Sequence, residues 1–167
     1  MDTLTHNDTI NDTLTARSLY EVDFYQWAFH NADLLRQGRF TEIDLENIVE
    51  ELEGMAKRDR RELLSRLAVL IMHLLKWQYQ PKRRGESWST TIRNQRTDIK
   101  LLLADSPSLK NNIEIVIAEG FIEAKQGFEK ETGISADKLS VPFPTVTGPE
   151  TCPYTLEQLM DHGFWPE

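Results

Sequence analysis

Apolar residues recur every three to four positions over five long stretches of this chain, the spacing of amphipathic helices, and no paired runs with the period of two needed for strands accompany them. Ser18-Leu-Tyr-Glu21 has the form of a capping box and predicts a first helix to about Gln37, with Tyr20, Phe24, Trp27, Ala28, Leu34 and Leu35 on its core face and Gly38 closing it in the left-handed conformation. Thr41 and Asp44 open a second helix whose buried stripe is Leu45, Ile48, Val49, Leu52, Met55 and Ala56. Asp59-Arg-Arg-Glu62 resembles another cap, so a break is expected near residues 57–59, with one long helix over 41–80 as the alternative. The third helix carries Leu63, Leu64, Leu67, Leu70, Ile71, Leu74 and Leu75 inward until Pro81 stops it.

Ser87 is the expected cap of a fourth helix, which reaches about Ala104 with Trp88, Ile92, Ile99, Leu102 and Leu103 turned inward. Asp105-Ser-Pro107 reads as turn, N-cap and first-turn proline of a fifth helix that runs through Leu109, Ile113, Val116, Ile117, Phe121 and Phe128 to Gly133. Residues 134–153 are too proline-rich for helix and are expected to wrap the domain in extended form, before a short last helix over about Tyr154 to Asp161. The fold class is therefore all-α: a bundle of about five main helices, a short C-terminal helix and an extended segment. Residues 1–17, polar and rich in Thr, Asn and Asp, form an expected disordered tail, which leaves 18–167 as a single helical domain.

Composition narrows the setting. The chain has 167 residues, of which 40% are apolar, enough for a core without metal or disulfide support. Its single cysteine, Cys152, has no partner in the chain, and no secretory leader precedes the first helix, so a cytoplasmic location is expected. The longest apolar run, 67–72, is far short of the roughly 20 residues of a membrane span, and no membrane association is expected.

Charge is distributed unevenly. The net charge is −8, yet residues 73–96 carry Lys76, Lys82, Arg83, Arg84, Arg93 and Arg96 against Glu86 alone, a local +5 that leaves −13 elsewhere. If the third and fourth helices form an antiparallel hairpin, equal rise per residue sets His73 near the level of Asn94, and hence close to Arg93 and Arg96. The expected result is a cationic edge of Arg93, Arg96 and Lys100, floored by Trp77, that suits phosphate or a nucleobase, with His73 as the candidate proton carrier. The free amides at the start of the fourth helix, with Ser87, Thr90, Arg83 and Arg84, form a second expected anion seat.

The competing expectation for the edge is structural, with His73 and Trp77 bordering the core and the arginines pairing with the acidic second helix; for the second seat it is a basic turn that is simply a solvated loop. Glu46, Glu50 and Glu53 share one side of that helix and are weak candidate metal ligands, but the Glu-x-x-His pairing of bundle di-metal centres is missing. No metal or other cofactor is expected. Neither a nucleophile elbow nor a phosphate-cradling glycine loop occurs. Gln78, Gln95 and Asn31 lie on otherwise apolar faces and are expected to form buried amide contacts.

The segments Tyr20–Trp27, Leu34–Gly38 and Asp44–Glu53, together with His73-Leu-Leu-Lys-Trp77, Gln80-Pro81, Arg84, Ser87-Trp88, Thr91-Ile92, Gln95-Arg96, Ser106–Leu109, Cys152-Pro-Tyr154 and Phe164-Trp-Pro166, occur in an order that resembles a small bacterial, mainly cyanobacterial family, domain of unknown function 29. The resemblance implies an all-helical domain from about Tyr20 to the C-terminus and implies no reaction. Function is thus read as a phosphate- or nucleic-acid-binding module on the hairpin 73–96. A protein-interaction module using the acidic second helix and residues 141–166, and a metal-dependent hydrolase on the acidic helix, are the alternatives.

Overall fold

The computed structural model describes residues 19–135 and 152–167; the expected N-terminal tail and most of the proline-rich segment lie outside them. Among the described residues every regular element is helical: α1 (Phe24–Arg36), α2 (Leu45–Tyr79), α3 (Glu86–Asp105), α4 (Ile113–Thr132) and α5 (Leu156–Met160), with 3-10 turns at Pro81–Arg83 and Pro107–Lys110. None of these helices is long and apolar enough to cross a membrane. The chain divides between Ala56 and Lys57 into two compact units.

In the first unit a helical turn at residues 19–22 breaks at Asp23, whose carboxylate accepts from the Gln26 amide and caps α1. The first helix is thus interrupted where continuity from Ser18 is expected. Gly38 takes the predicted left-handed conformation, with φ 72°. Only Trp27, Asn31 and Leu34 of α1 are buried. They close over Asp44 through hydrogen bonds: Trp27 Nε1 donates to Asp44 Oδ2 at 3.1 Å, Asn31 Nδ2 to the Trp27 carbonyl at 2.9 Å, and the Asp44 amide to Asn31 Oδ1 at 2.8 Å. The same Asp44 accepts from the Asn47 amide at the start of α2. One carboxylate therefore caps a helix and fixes the turn before it.

The stripe expected to be buried on this part of α2 is instead exposed: Leu45, Val49, Leu52 and Met55 all face solvent, as do Phe24 and Leu35 of the predicted α1 core face. Helical period is correct here, but period alone does not supply a partner surface.

In the second unit the remainder of α2 packs with α3, α4 and α5 around Leu63, Leu67, Leu70, Ile71, Leu74, Ile92, Ile99, Phe121, Phe128 and Leu159. Gly120 lets α4 approach α2 closely, because a Cβ there would lie 3.3 Å from Leu67 Cβ and 3.4 Å from the Ala68 nitrogen. No break occurs at 57–59. Asp59, read as a cap, accepts from the Ser106 hydroxyl at 3.0 Å instead. Helix α3 starts at Glu86 after an extended Gly85 and has no side-chain cap, so Ser87 does not cap it. Pro107 opens only a 3-10 turn, and α4 begins six residues later behind Asn112, which adopts the left-handed conformation with φ 63°. Gly133 ends α4 as predicted, with φ 70°.

Candidate functional site

The predicted cationic edge lies toward the Pro81–Arg83 turn of the α2–α3 hairpin, and the C-terminal residues pack against it. Arg96 is the decisive side chain. It is 0% exposed, although the sequence reading sets it on an open basic edge. Its Nε donates to the Leu159 carbonyl at 2.9 Å and its Nη2 to the carbonyls of Phe164 at 2.8 Å and Gln158 at 3.4 Å. Burial lowers its pKa, and the charge of Asp161 acts the other way. A guanidinium has five donors and no acceptor, so it satisfies the carbonyls that a short helix leaves open at its C-terminus.

Trp165 completes the closure. Its ring lies 4.6 Å from that of Trp77, and the guanidiniums of Arg96 and Arg93 lie 5.6 and 5.8 Å from it. Arg84 donates to the Trp77 carbonyl at 2.8 Å and sits 5.4 Å from the Trp77 ring. Trp77, the expected floor for a base, is therefore covered by the chain's own tryptophan and arginine. Tyr154 donates to Gln78 Oε1 at 2.9 Å, which ties the same C-terminal segment to α2. Gln78 is thus bonded to Tyr154, whereas Gln95 Oε1 is buried and finds no donor among the described residues; the expected amide network is confined to Asn31 in the first unit.

His73 is placed away from these arginines. Its Nδ1 lies 2.8 Å from the Val69 carbonyl, which can only accept, so Nδ1 carries the proton. The charges acting on it are those of Lys76 and Glu131, and burial, the largest effect, lowers its pKa. Lys76 is itself buried, pairs with Glu131 at 2.7 Å and lies 4.7 Å from the Trp88 ring. That pairing holds the Glu131 carboxyl below its ordinary range. Sequence reasoning counted Lys76 toward the cationic segment 73–96 and did not foresee its burial. The available signal was its position between Leu75 and Trp77 in the most apolar stretch of the chain.

The remaining predicted residues separate into two groups. Arg83 and Ser87 are exposed at the turn and at the start of α3. Lys82, beside Arg83, is exposed as well. Glu46, Glu50 and Glu53 lie exposed on α2 in the first unit, and among the described residues no group of three or more His, Cys, Asp or Glu side chains is placed to hold a metal ion. Cys152 is half-buried, and burial pushes its thiol pKa up to about 11, the opposite of an activated nucleophile.

The first unit presents a different surface. Among the described residues, ten of the thirteen exposed large apolar side chains fall between Val22 and Met55, so this short stretch carries most of their open hydrophobic area. Over residues 19–56 nine carboxylates face two arginines, a net −7. Tyr20 links the two sides, donating to Glu51 Oε1 at 2.6 Å; that hydrogen bond raises its pKa to about 12.

Architecture and side chains together define an all-α protein whose most conspicuous cations hold its own C-terminus and which shows no constellation for catalysis among its described residues. The chain belongs to the family described as domain of unknown function DUF29, whose model matches residues 19–165. No curated protein and no solved structure matches it.

Proposed function

We propose that this protein is an interaction module, that its docking surface is carried by α1 and the first three turns of α2, and that its partner is a basic, amphipathic helix of another protein. The concentration of exposed apolar side chains between Val22 and Met55 carries this reading. Leu45, Leu52 and Met55, with Val49 beside them, have the spacing of a helix-docking stripe. Charge selects the occupant. A second copy would bring one −7 surface against another, whereas a lysine- or arginine-rich helix would be attracted and oriented.

The test titrates the full chain with an 18-residue amphipathic helix of Leu and Lys, a scrambled peptide of the same composition and an amphipathic helix of Leu and Glu, with sedimentation velocity run in parallel. The expected result is a monomer that binds the first peptide only and loses most of that binding in Leu52→Ser/Met55→Ser. Concentration-dependent dimerisation abolished by the same variant would assign the face to self-association. Equal binding of the scrambled peptide would reduce the attraction to charge alone.

A second reading, contact with a phosphate-bearing ligand or nucleic acid, is favoured by Lys82 and Arg83, which are exposed and make no ion pair among the described residues. Its test is oligonucleotide binding against salt concentration for wild type and Lys82→Ala/Arg83→Ala. Loss of binding with a shallower salt slope supports this reading, and no binding at low salt rejects it.

A further inference from the structure

On α3, Lys100, Leu103 and Ala104 follow at i, i+3 and i+4 and so share one face. On α5, Leu156 and Met160 do the same. Between these faces, and closed on a third side by Lys110 at the end of the Pro107–Lys110 turn, lies a cavity of about 270 Å³ lined by these six residues. Leu103 is buried and Leu156 and Met160 half-buried, so the deep wall is apolar. The two lysines are exposed and have no hydrogen-bond or ion-pair partner among the described residues. The nearest carboxylates in sequence, Asp105, Glu157 and Asp161, do not line the space.

The geometry points to a binding site for a small amphipathic anion, an alkyl or aryl chain ending in a carboxylate, with the chain between Leu103, Leu156 and Met160 and the head between Lys100 and Lys110. Each lysine contributes twice: its methylene stem extends the apolar wall while its ammonium stays at the mouth. Two cationic side chains lining one space repel each other, and an anion between them reverses that repulsion. An inorganic anion would leave the apolar wall unused, and a neutral chain would leave both cations unpaired. The volume lies just under the roughly 300–1,000 Å³ of sites for drug-sized ligands, which limits the tail to a short chain or a single ring. Met160, unbranched and polarisable, can adapt to either. This site is independent of the docking surface proposed for the first unit.

The test uses the full chain, methyl-labelled at methionine, titrated with sodium octanoate and followed by NMR at Met160 with Met55 as the remote control. A saturable shift at Met160 alone is expected, with no effect of acetate at equal concentration. Octanol and the variant Lys100→Gln/Lys110→Gln should each bind about ten-fold or more weakly, as expected for loss of charge-assisted contacts. Glutamine retains part of each stem at exposed positions, and a thermal melt establishes that the variant is folded. Octanol binding as tightly as octanoate, undiminished binding in the double variant, or an unmoved Met160 would each overturn the assignment.

Discussion

Arg96 shows how a residue's neighbours outweigh its type. Ile92, Arg96, Ile99 and Leu103 follow at spacings of four, three and four, the inward seam of α3, so the sequence itself sets Arg96 on the core face. A reading that groups cations by charge passes over that seam. Because the guanidinium holds three carbonyls in a fully enclosed place, Arg96→Ala should cost about 3–5 kcal/mol of stability. Arg93 is exposed, and Arg93→Ala should cost less than about 1 kcal/mol. Denaturant unfolding of the two single variants checks both values. Equal and small losses would mean that Arg96 does not pin the C-terminus.

Tyr20 supplies a pH dependence at the same scale. Its pKa in the folded chain, about 12, lies above the ordinary 10, so the contribution of its bond to Glu51 is complete below pH 10 and is lost as pH rises toward 12. Wild type should therefore lose more stability than Tyr20→Phe between pH 10 and pH 12 in denaturant unfolding. Parallel losses in the two proteins would show that the hydrogen bond contributes nothing. Cys152, held near 11 by burial, should react slowly with iodoacetamide at pH 8 and rapidly once denaturant is added.

At the scale of elements, the existence and helical type of each long segment were legible, because each apolar stripe has the 3.6-residue period. Boundaries were legible only where a single residue decides them, as at Gly38, Gly133 and Pro81. Ser106-Pro107 misled because the helical register continues through Leu109 to Ile113, while the left-handed Asn112 starts the helix anew. Asp59 misled because a carboxylate ahead of an apolar run reads as a cap until its tertiary partner, Ser106, is known. The unbroken α2, 35 residues and roughly 52 Å long, has a direct test at Gly54, where an added Cβ would meet nothing within 4 Å. Gly54→Ala should stabilise the protein by about 0.5–1 kcal/mol, the ordinary helix-interior difference. A loss of stability would place a bend where the helix is read as continuous.

At the scale of the whole molecule, net charge concealed two opposed regions. Residues 19–56 carry −7, while residues 57–135, with fifteen basic and ten acidic side chains, carry +5. The sequence reading located the positive region and looked for a ligand there. The structure turns several of its cations onto its own chain, to the C-terminal carbonyls, to Trp77 and to Glu131, which a linear count of charge has no means to reveal. The apolar stripe of α2 was equally visible in the sequence, but its exposure was not, since an amphipathic face looks the same whether its partner belongs to the same chain or to another. Hydrogen exchange of the full chain, with and without the Leu–Lys amphipathic peptide, tests the resulting account most directly. It predicts slowed exchange within residues 24–56 and unchanged exchange across 76–96 and 152–167. Protection confined to 76–96, or none in 24–56 at saturating peptide, would contradict it.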